Sequence, residues 1–406
     1  MNSVERHLLM TISPTRVDPA VLRAMGTNTP TADDPAYIES FADALGDLRK
    51  LLEAERCKAY IFPGTGTLGM EALIANWLEP GAKVLVASTG FWGDRFAEVA
   101  RRHGVVVTHA TVPPGAGPDM AALEAELATG TYKALAWTHV DSSTGVRVDC
   151  AAMAVLARRY CALSLVDGIA GAGAEPFFQD ECDVDVYLTA TPKAIGVPAG
   201  LVLITAGARA QEALARRTSP VLVYSLDLTL WQPVMEAFES GAFGYFNTHA
   251  LNLTMGLTVG LKLILAEGLE NRWARHARIA MALRAGLTAL GLRLVAEEGV
   301  RSNAMSTVFY PPGVGKELLA EVKAEGVVLA GGYHPVLGPQ TFRIGHLGWV
   351  TPADALATIA AIERALARLG ALPPDRQGAG IAAVQNTLSS PLIAPTLATG
   401  AVRSHS

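Results

Sequence analysis

The sequence VYLTATPKAIGVPAGL occupies residues 186–201 and combines two features that rarely occur together. It begins as an apolar, strand-like run, and Lys193 then stands between apolar residues at the start of a loop that contains Gly and Pro. Burial of an unpaired ammonium group is costly, and lysine is among the residues least often found buried. Lys193 is therefore either a surface residue at the end of a strand or a buried amine with a chemical role.

The chain that precedes this stretch alternates between helical and strand-like patterns. Near-continuous apolar strands that alternate with helices are typical of a parallel sheet covered on both faces, and such sheets carry their active sites at the carboxyl ends of the strands. The sequence therefore predicts an α/β fold. Helices are predicted over residues 70–78, 94–104, 119–130 and 151–160, and strands over 82–89, 105–110, 133–140 and 162–168.

The pattern changes after about residue 265. A long helical pattern covers residues 269–290, a few strand-like runs follow, and a closing helix is predicted over 352–369. We expect a smaller C-terminal α+β domain there. The predicted organisation is an N-terminal arm (1–20), a large domain (21–265), a small C-terminal domain (266–370) and an irregular tail (371–406) that is rich in Pro, Gly, Ser and Thr.

Composition excludes several classes of protein. The chain has 406 residues, of which 50% are hydrophobic and 17% are charged, so it can bury a large interior. A net charge of -5 argues against a general nucleic-acid binder. Apolar runs are far shorter than the ~20 residues that span a bilayer, so no membrane segment is expected. The four cysteines form no CxxC pair and the histidines lack metal-ligand spacing, so we expect no metal site and a cytoplasmic protein.

Three further signals stand where predicted strands end. Residues 64–67 read GTGT directly before a helical pattern, and helix N-termini of this kind suit a phosphate group, although a plain tight turn has the same sequence. A polar cluster occupies residues 139–144, where it could also cap the next element. Asp167 ends an apolar strand, and a helix cap or turn is the ordinary alternative for such an acid.

One cofactor needs all of these groups at once. Pyridoxal phosphate has a phosphate for a glycine-rich helix start, a pyridine nitrogen that a carboxylate keeps protonated, and an aldehyde that forms a Schiff base with a lysine. Asp167 and Lys193 supply the carboxylate and the amine. On this hypothesis Lys193 has a reason to be buried.

With these groups in this order, the sequence resembles the class V aminotransferases of fold type I, in the alanine/serine–glyoxylate aminotransferase group. The resemblance runs from about residue 9 to residue 370. The motifs that carry it are PGTGTLGMEALIANWLEPG (63–81), GFWGDR (90–95), THVDSSTGV (138–146), LVDGIAGAGAEPF (165–177), TPKAIGVPAGL (191–201), GYFNTHALNL (244–253) and FRIGHLG (342–348).

The resemblance implies the PLP-dependent transferase fold, with a mainly parallel seven-stranded sheet in the large domain. It also implies a homodimer with composite active sites, in which Tyr245 and Thr248 reach the phosphate of the neighbouring subunit, and a substrate-carboxylate site at Arg343. Catalytic roles fall to Lys193 and Asp167. The implied cofactor-binding residues are Thr65, Gly66, Thr67, Trp92, Ser142, Asp167, Ile169, Lys193, Tyr245 and Thr248.

Three positions depart from the family pattern. Pro192 stands before the lysine where a Gln or small polar residue is usual, Asp141 replaces a Glu, and Ser13 precedes Pro14 in place of a Gly. These departures bear on the amino donor and acceptor more than on the cofactor.

The expected activity is that of a PLP-dependent aminotransferase. It would transfer the amino group of a small amino acid, of alanine or serine type, to a 2-oxo acid such as glyoxylate or pyruvate. A pyridoxamine–pyruvate-type transaminase or another PLP enzyme, such as a lyase, is the alternative, and a non-catalytic binding protein of the same fold is a third. A cysteine desulfurase would need a cysteine late in the chain, and none follows Cys182.

Overall fold

The computed structural model describes residues 7–390; residues 1–6 of the predicted arm and 391–406 of the predicted tail lie outside the described part. The helices are α1 (Pro19–Met25), α2 (Pro35–Leu51), α3 (Gly66–Trp77), α4 (Phe91–Arg102), α5 (Met120–Ala128), α6 (Cys150–Arg159), α7 (Gln179–Cys182), α8 (Ala208–Ala215), α9 (Leu228–Glu239), α10 (Leu251–Glu267), α11 (Leu269–Ala289), α12 (Glu317–Ala324), α13 (Pro352–Arg368) and α14 (Ala379–Ser389). The strands are β1 (Leu8–Leu9), β2 (Lys58–Pro63), β3 (Lys83–Ser88), β4 (Val106–Thr111), β5 (Ala134–Thr138), β6 (Val140–Asp141), β7 (Val146–Arg147), β8 (Leu163–Asp167), β9 (Val186–Ala190), β10 (Leu201–Ala206), β11 (Met305–Phe309), β12 (Val327–Val328), β13 (Ala330–Gly331) and β14 (Thr341–Gly345).

Seven strands form one sheet in the order β2-β10-β9-β8-β5-β3-β4. All neighbours pair in parallel except β10, which is antiparallel to both β2 and β9. Every residue of β5, β8 and β9 is buried, because helices cover both faces of the sheet. The predicted α/β fold with a mainly parallel seven-stranded sheet is confirmed, and so are the helices and strands predicted over residues 70–168.

Local sequence sets the ends of these helices. Asp119 and Asp149 each stand immediately before a helix, and their carboxylates accept hydrogen bonds from the first free N–H groups of α5 and α6. The helix α4 ends just before Gly104, which has φ of +73°.

A second hydrophobic core lies in the C-terminal part. It is built around the antiparallel sheet β11-β14-β13, with α11, α12 and α13 packed against it, and Met10 of the N-terminal segment joins it. The main core extends along the chain to Ile264, and the second begins again at Ile279. Two cores of this kind fit the two predicted domains, although the exact boundary at residue 265 stays a prediction.

The prediction of an irregular tail is wrong for part of that segment. Residues Ala379–Ser389 form α14, which packs against α11 and α13. The reason is an apolar stripe at helical spacing, formed by Ile381, Val384 and Leu388, of which Val384 is fully buried. Pro, Gly, Ser and Thr on both sides of this helix obscure the pattern in the sequence.

None of the helices within residues 7–390 is by itself long and apolar enough to cross a bilayer. The consecutive helices α10 and α11 meet a test of length and composition only as a pair, and they are bent by 84° where they join.

Candidate active site

One cavity of about 320 Å³ opens at the carboxyl ends of the central strands. This is the edge at which the strand pattern predicts a site, and the volume lies at the lower end of the range for small-molecule sites. Nine of the eleven predicted site residues line it; their roles stay predictions. These nine are Thr65, Gly66, Thr67, Trp92, Ser142, Asp167, Ile169, Lys193 and Arg343.

Lys193 lies in the turn that follows β9 and lines this cavity. Its backbone carbonyl accepts a hydrogen bond of 2.8 Å from the hydroxyl of Thr15. Desolvation lowers the pKa of Lys193 to about 8, and the nearby Arg343 charge adds to that effect while Asp167 opposes it. The amine can therefore accept and release a proton near neutral pH.

Asp167 is the last residue of β8 and is buried. One carboxylate oxygen accepts a hydrogen bond of 3.0 Å from the backbone N–H of Ile169, which fixes its direction. Burial raises the pKa of Asp167 to about 7; the Asp141 charge acts in the same direction, and the Ile169 N–H and Lys193 act against it. A cationic group in the cavity would favour the ionised carboxylate.

The start of α3 forms one end of the cavity. Thr65 caps this helix through a hydrogen bond from the N–H of Leu68, and residues 65–67 line the cavity. A Cβ on Gly66 would lie 2.6 Å from the terminal methyl group of Ile169, so a larger residue at this position would require the Ile169 side chain to move. Free N–H groups and the positive end of the helix dipole make this end suitable for an anion.

Trp92 forms one wall and is held from two directions. Its indole Nε1 donates to the hydroxyl of Ser142 at 2.8 Å, and its backbone N–H donates to the carboxylate of Asp141 at 2.9 Å. Asp141 also accepts hydrogen bonds from the N–H and hydroxyl of Ser143. Asp141 thus accepts hydrogen bonds from N–H groups in the first turn of α4.

Arg343 lies on β14 and enters the cavity from the C-terminal part. Its Nε donates to the carbonyl of Gly331 at 2.8 Å, and Nη1 donates to the carbonyl of Ser142 at 3.1 Å. The guanidinium carbon lies 5.3 Å from the ring centre of Tyr333. The remaining N–H groups are available for a carboxylate, because a guanidinium carries five donors.

Tyr245 and Thr248 do not line the cavity of their own chain. Both are exposed, and their hydroxyl oxygens lie 3.4 Å apart. This placement does not test a role in a neighbouring subunit, so that role stays a prediction.

The sequence did not single out several residues that line the cavity. Tyr333 is the most informative of them, since its ring stacks on Trp92 with a centroid distance of 5.8 Å and contacts Phe91 at 4.6 Å. An aromatic residue between Gly-Gly and His-Pro was the available signal. The others are Ile12, Val140, Ala170, Ala190 and Ala330.

Comparison with known proteins adds the family context. The family model described as "Aminotransferase class-V" matches residues 34–348. The L-aspartate–glyoxylate aminotransferase of Paracoccus denitrificans is 33% identical over 92% of this chain and 93% of that protein. The serine–glyoxylate aminotransferase of Arabidopsis thaliana is 32% identical over 94% and 95%.

Two solved structures are similar over nearly their whole length. The ureidoglycine–glyoxylate aminotransferase of Bacillus subtilis superposes with a TM-score of 0.88 at 29% identity, covering 95% of this chain and 98% of that chain. The pyridoxamine–pyruvate aminotransferase of Mesorhizobium loti gives a TM-score of 0.86 at 28% identity, covering 96% and 98%.

Proposed function

Because the chain belongs to the class-V aminotransferase family, we propose that it holds pyridoxal phosphate on Lys193 and transfers the amino group of a small amino acid to a 2-oxo acid. The donor is of alanine or serine type, and the acceptor is glyoxylate or pyruvate. The observation that carries this proposal is the convergence of Lys193, Asp167 and Arg343 on one cavity that ends at the N-terminus of α3.

The residues of the cavity fit this cofactor. The α3 N-terminus would hold the phosphate, Asp167 would hold the ring nitrogen, and Trp92 would lie against the ring. When bound, the cofactor supplies an aldehyde for a Schiff base and a ring that accepts electron density. The low pKa of Lys193 makes its amine a suitable base to move a proton at the substrate Cα.

The charge of the cavity supports a donor with one carboxylate. Among the described residues that line it, Lys193 and Arg343 are the cations, and Lys193 is taken by the cofactor. Arg343 offers a planar fork for a single carboxylate. Ala330 pairs with Arg343 in the C-terminal sheet and the Tyr333 ring lies 5.3 Å from its guanidinium carbon, and these neighbours suit a small side chain better than a second carboxylate. On this proposal the chain differs in donor from its Paracoccus relative.

We also propose a homodimer in which Tyr245 and Thr248 act in the neighbouring subunit's site. Both side chains are exposed on the surface of a single chain and do not line its own cavity, which is consistent with that role. A second candidate function is a transaminase of the pyridoxamine–pyruvate type. Pro192 favours it, because Pro192 lines the cavity beside Lys193 and offers no hydrogen-bond donor to a phosphate.

Three measurements test the proposal. Borohydride reduction of the holoenzyme followed by peptide mapping should place the cofactor on Lys193, and Lys193→Ala should lose turnover while it stays folded. A screen of alanine, serine, aspartate and pyridoxamine as donors, with glyoxylate and pyruvate as acceptors, should favour alanine or serine. Attachment to another lysine would refute the site, and preference for pyridoxamine would favour the second candidate.

A further inference from the structure

Arg272 on α11 is fully buried and contacts two loops of the main sheet. Its Nε donates to the carbonyl of Gly173 at 2.9 Å, and Nη2 donates to the carbonyl of Ala194 at 2.5 Å. Gly173 lies in the loop that follows Asp167, and Ala194 directly follows Lys193. One side chain outside the cavity lining therefore connects the loops that carry both of these residues.

Two further contacts hold the guanidinium of Arg272, one through its third nitrogen and one against the face of its plane. Its Nη1 donates to Glu267 at 2.8 Å, and its central carbon lies 4.7 Å from the ring centre of Trp349. Trp349 in turn lies against Gly196, which has φ of +69° and where a Cβ would come within 2.5 Å of the indole Nε1. A side chain on Gly196 would therefore displace the ring that supports the guanidinium.

Glu267 links this arrangement to a second arginine. Arg275 donates to both carboxylate oxygens of Glu267, at 2.6 and 3.0 Å. Its Nη1 also donates to the carbonyls of Gly348 and Val350, at 3.0 and 2.8 Å. These carbonyls belong to the segment that follows β14, the strand of Arg343. Arg272 and Arg275, joined through Glu267, thus hold backbone close to all three groups that converge in the cavity.

We propose that Arg272 is a positioning residue that keeps the loops of Lys193 and Asp167 in a fixed relation. Arg275 has the same role for the segment after β14, and Glu267 couples the two arginines. This inference rests on the proposed function, since it assigns the purpose of the arrangement to the site around Lys193.

The physical reason is the cost of unpaired buried groups. Without the Arg272 guanidinium, the carbonyls of Gly173 and Ala194 would have no donor, and the Glu267 carboxylate would lose one of its partners. The loops would then relax toward water. Lys193 would gain hydration, so its pKa would rise from about 8 toward its ordinary value.

The experiment compares Arg272→Met with a matched control, Arg284→Met. Arg284 lies on the same helix, is half-buried, donates to the carbonyl of Ser302 at 2.8 Å, and is not among the residues that line the cavity. Both variants lose an arginine of α11 that donates to a backbone carbonyl. Melting temperature reports the general loss of stability. The half-time of cofactor release from the holoenzyme and the pH midpoint of Lys193 labelling in the cofactor-free chain report positioning.

For Arg272→Met we expect a labelling midpoint raised by about 0.5 unit or more, faster cofactor release, and kcat lowered about tenfold to a hundredfold at a nearly unchanged KM. Arg284→Met should leave the midpoint and the release half-time at their wild-type values. Arg275→Met should instead raise KM for the amino acid. Should Arg272→Met fail to fold, Arg272→Lys keeps the charge without the planar fork and should give an intermediate midpoint.

Equal midpoints and equal release half-times in Arg272→Met and Arg284→Met would overturn the inference. Failure of the proposed function would look different, because the wild type itself would then give no Lys193 adduct on borohydride reduction. The labelling midpoint is measured without cofactor, so it tests the position of Lys193 in either case.

Discussion

The cofactor-free protein should show an unusually reactive Lys193, and the pH profile of that reactivity tests the electrostatics of the cavity. Desolvation by the surrounding atoms lowers the pKa of this amine from 10.5 to about 8, with a further lowering effect from Arg343 and an opposing effect from Asp167. Below pH 8 the amine is mostly protonated and unreactive. Above pH 8 it is mostly the free base, which is the nucleophilic form.

These values give the size of the effect. At pH 7.5 an amine of pKa about 8 is roughly one quarter free base, whereas an amine of pKa 10.5 is about one part in a thousand free base. The reactive fraction of Lys193 in the folded chain should therefore exceed that of the same residue in the unfolded chain by about two hundredfold. Access to the cavity affects the absolute rate, so the midpoint of the profile is the better measure.

The assay is isotopic reductive methylation of the cofactor-free protein at a series of pH values, with mass spectrometry of the peptide that contains Lys193. Two variants should move the midpoint in opposite directions. Arg343→Met removes a positive neighbour and should raise it, while Asp167→Asn removes a negative neighbour and should lower it. The urea-unfolded wild type provides the reference profile.

Three results would refute this reasoning. A wild-type midpoint near 10.5 would mean that the amine is not desolvated. A shift in the same direction for both variants would mean that relaxation of the cavity outweighs the direct charges. An unchanged midpoint in Arg343→Met would mean that Arg343 lies too far from Lys193 to act on it.

Further predictions concern the other residues of the cavity. In the holoenzyme, Asp167→Asn should lower turnover by several orders of magnitude and cofactor affinity by less, because an amide does not hold the ring nitrogen protonated. Single-turnover spectra measure the loss of turnover, and cofactor titration measures the loss of affinity. Arg343→Lys keeps the charge without the planar fork and should raise KM for amino acid and 2-oxo acid. Arg343→Met removes the charge and should lower kcat/KM by about 30-fold to several thousand-fold, which corresponds to the ~2–5 kcal/mol lost with a paired charge; near-normal steady-state kinetics would contradict it. The double variant Tyr245→Phe with Thr248→Ala should weaken cofactor binding. A mixed dimer of this double variant with a Lys193→Ala subunit should regain one working site, which activity titration after subunit mixing would report.

The sequence predicts the sheet well because its strands are buried on both faces. A run such as residues 134–138 has no polar side to present, and the helices between strands carry clear caps and periodicity. The direction of β10 was not predicted. Its six apolar or small residues fit either direction, and only its pairing with β2 and β9 shows that it runs antiparallel.

Residues at strand ends were predictable for a related reason. Asp167 and Lys193 interrupt apolar runs, so each conflicts with its surroundings and requires an explanation. Tyr333 has no such conflict, since a tyrosine in a Gly- and Pro-containing turn is ordinary. Its place over Trp92 and Arg343 depends on how the C-terminal sheet docks against the main one, which is a contact between segments far apart in sequence.

The burial of Arg272 also could not be predicted from the sequence, because it too depends on contacts between distant segments. It stands in a helix with Arg275 and Arg278, where a row of arginines is typical of a solvated face. Its full burial follows from carbonyls in two distant loops that need a donor at the same place. The local sequence pattern can identify a charged residue that interrupts an apolar run, as with Lys193. It does not identify a buried arginine in a helix where other arginines recur every three residues. A charged side chain of the second kind becomes visible only once the backbone groups that it serves are located.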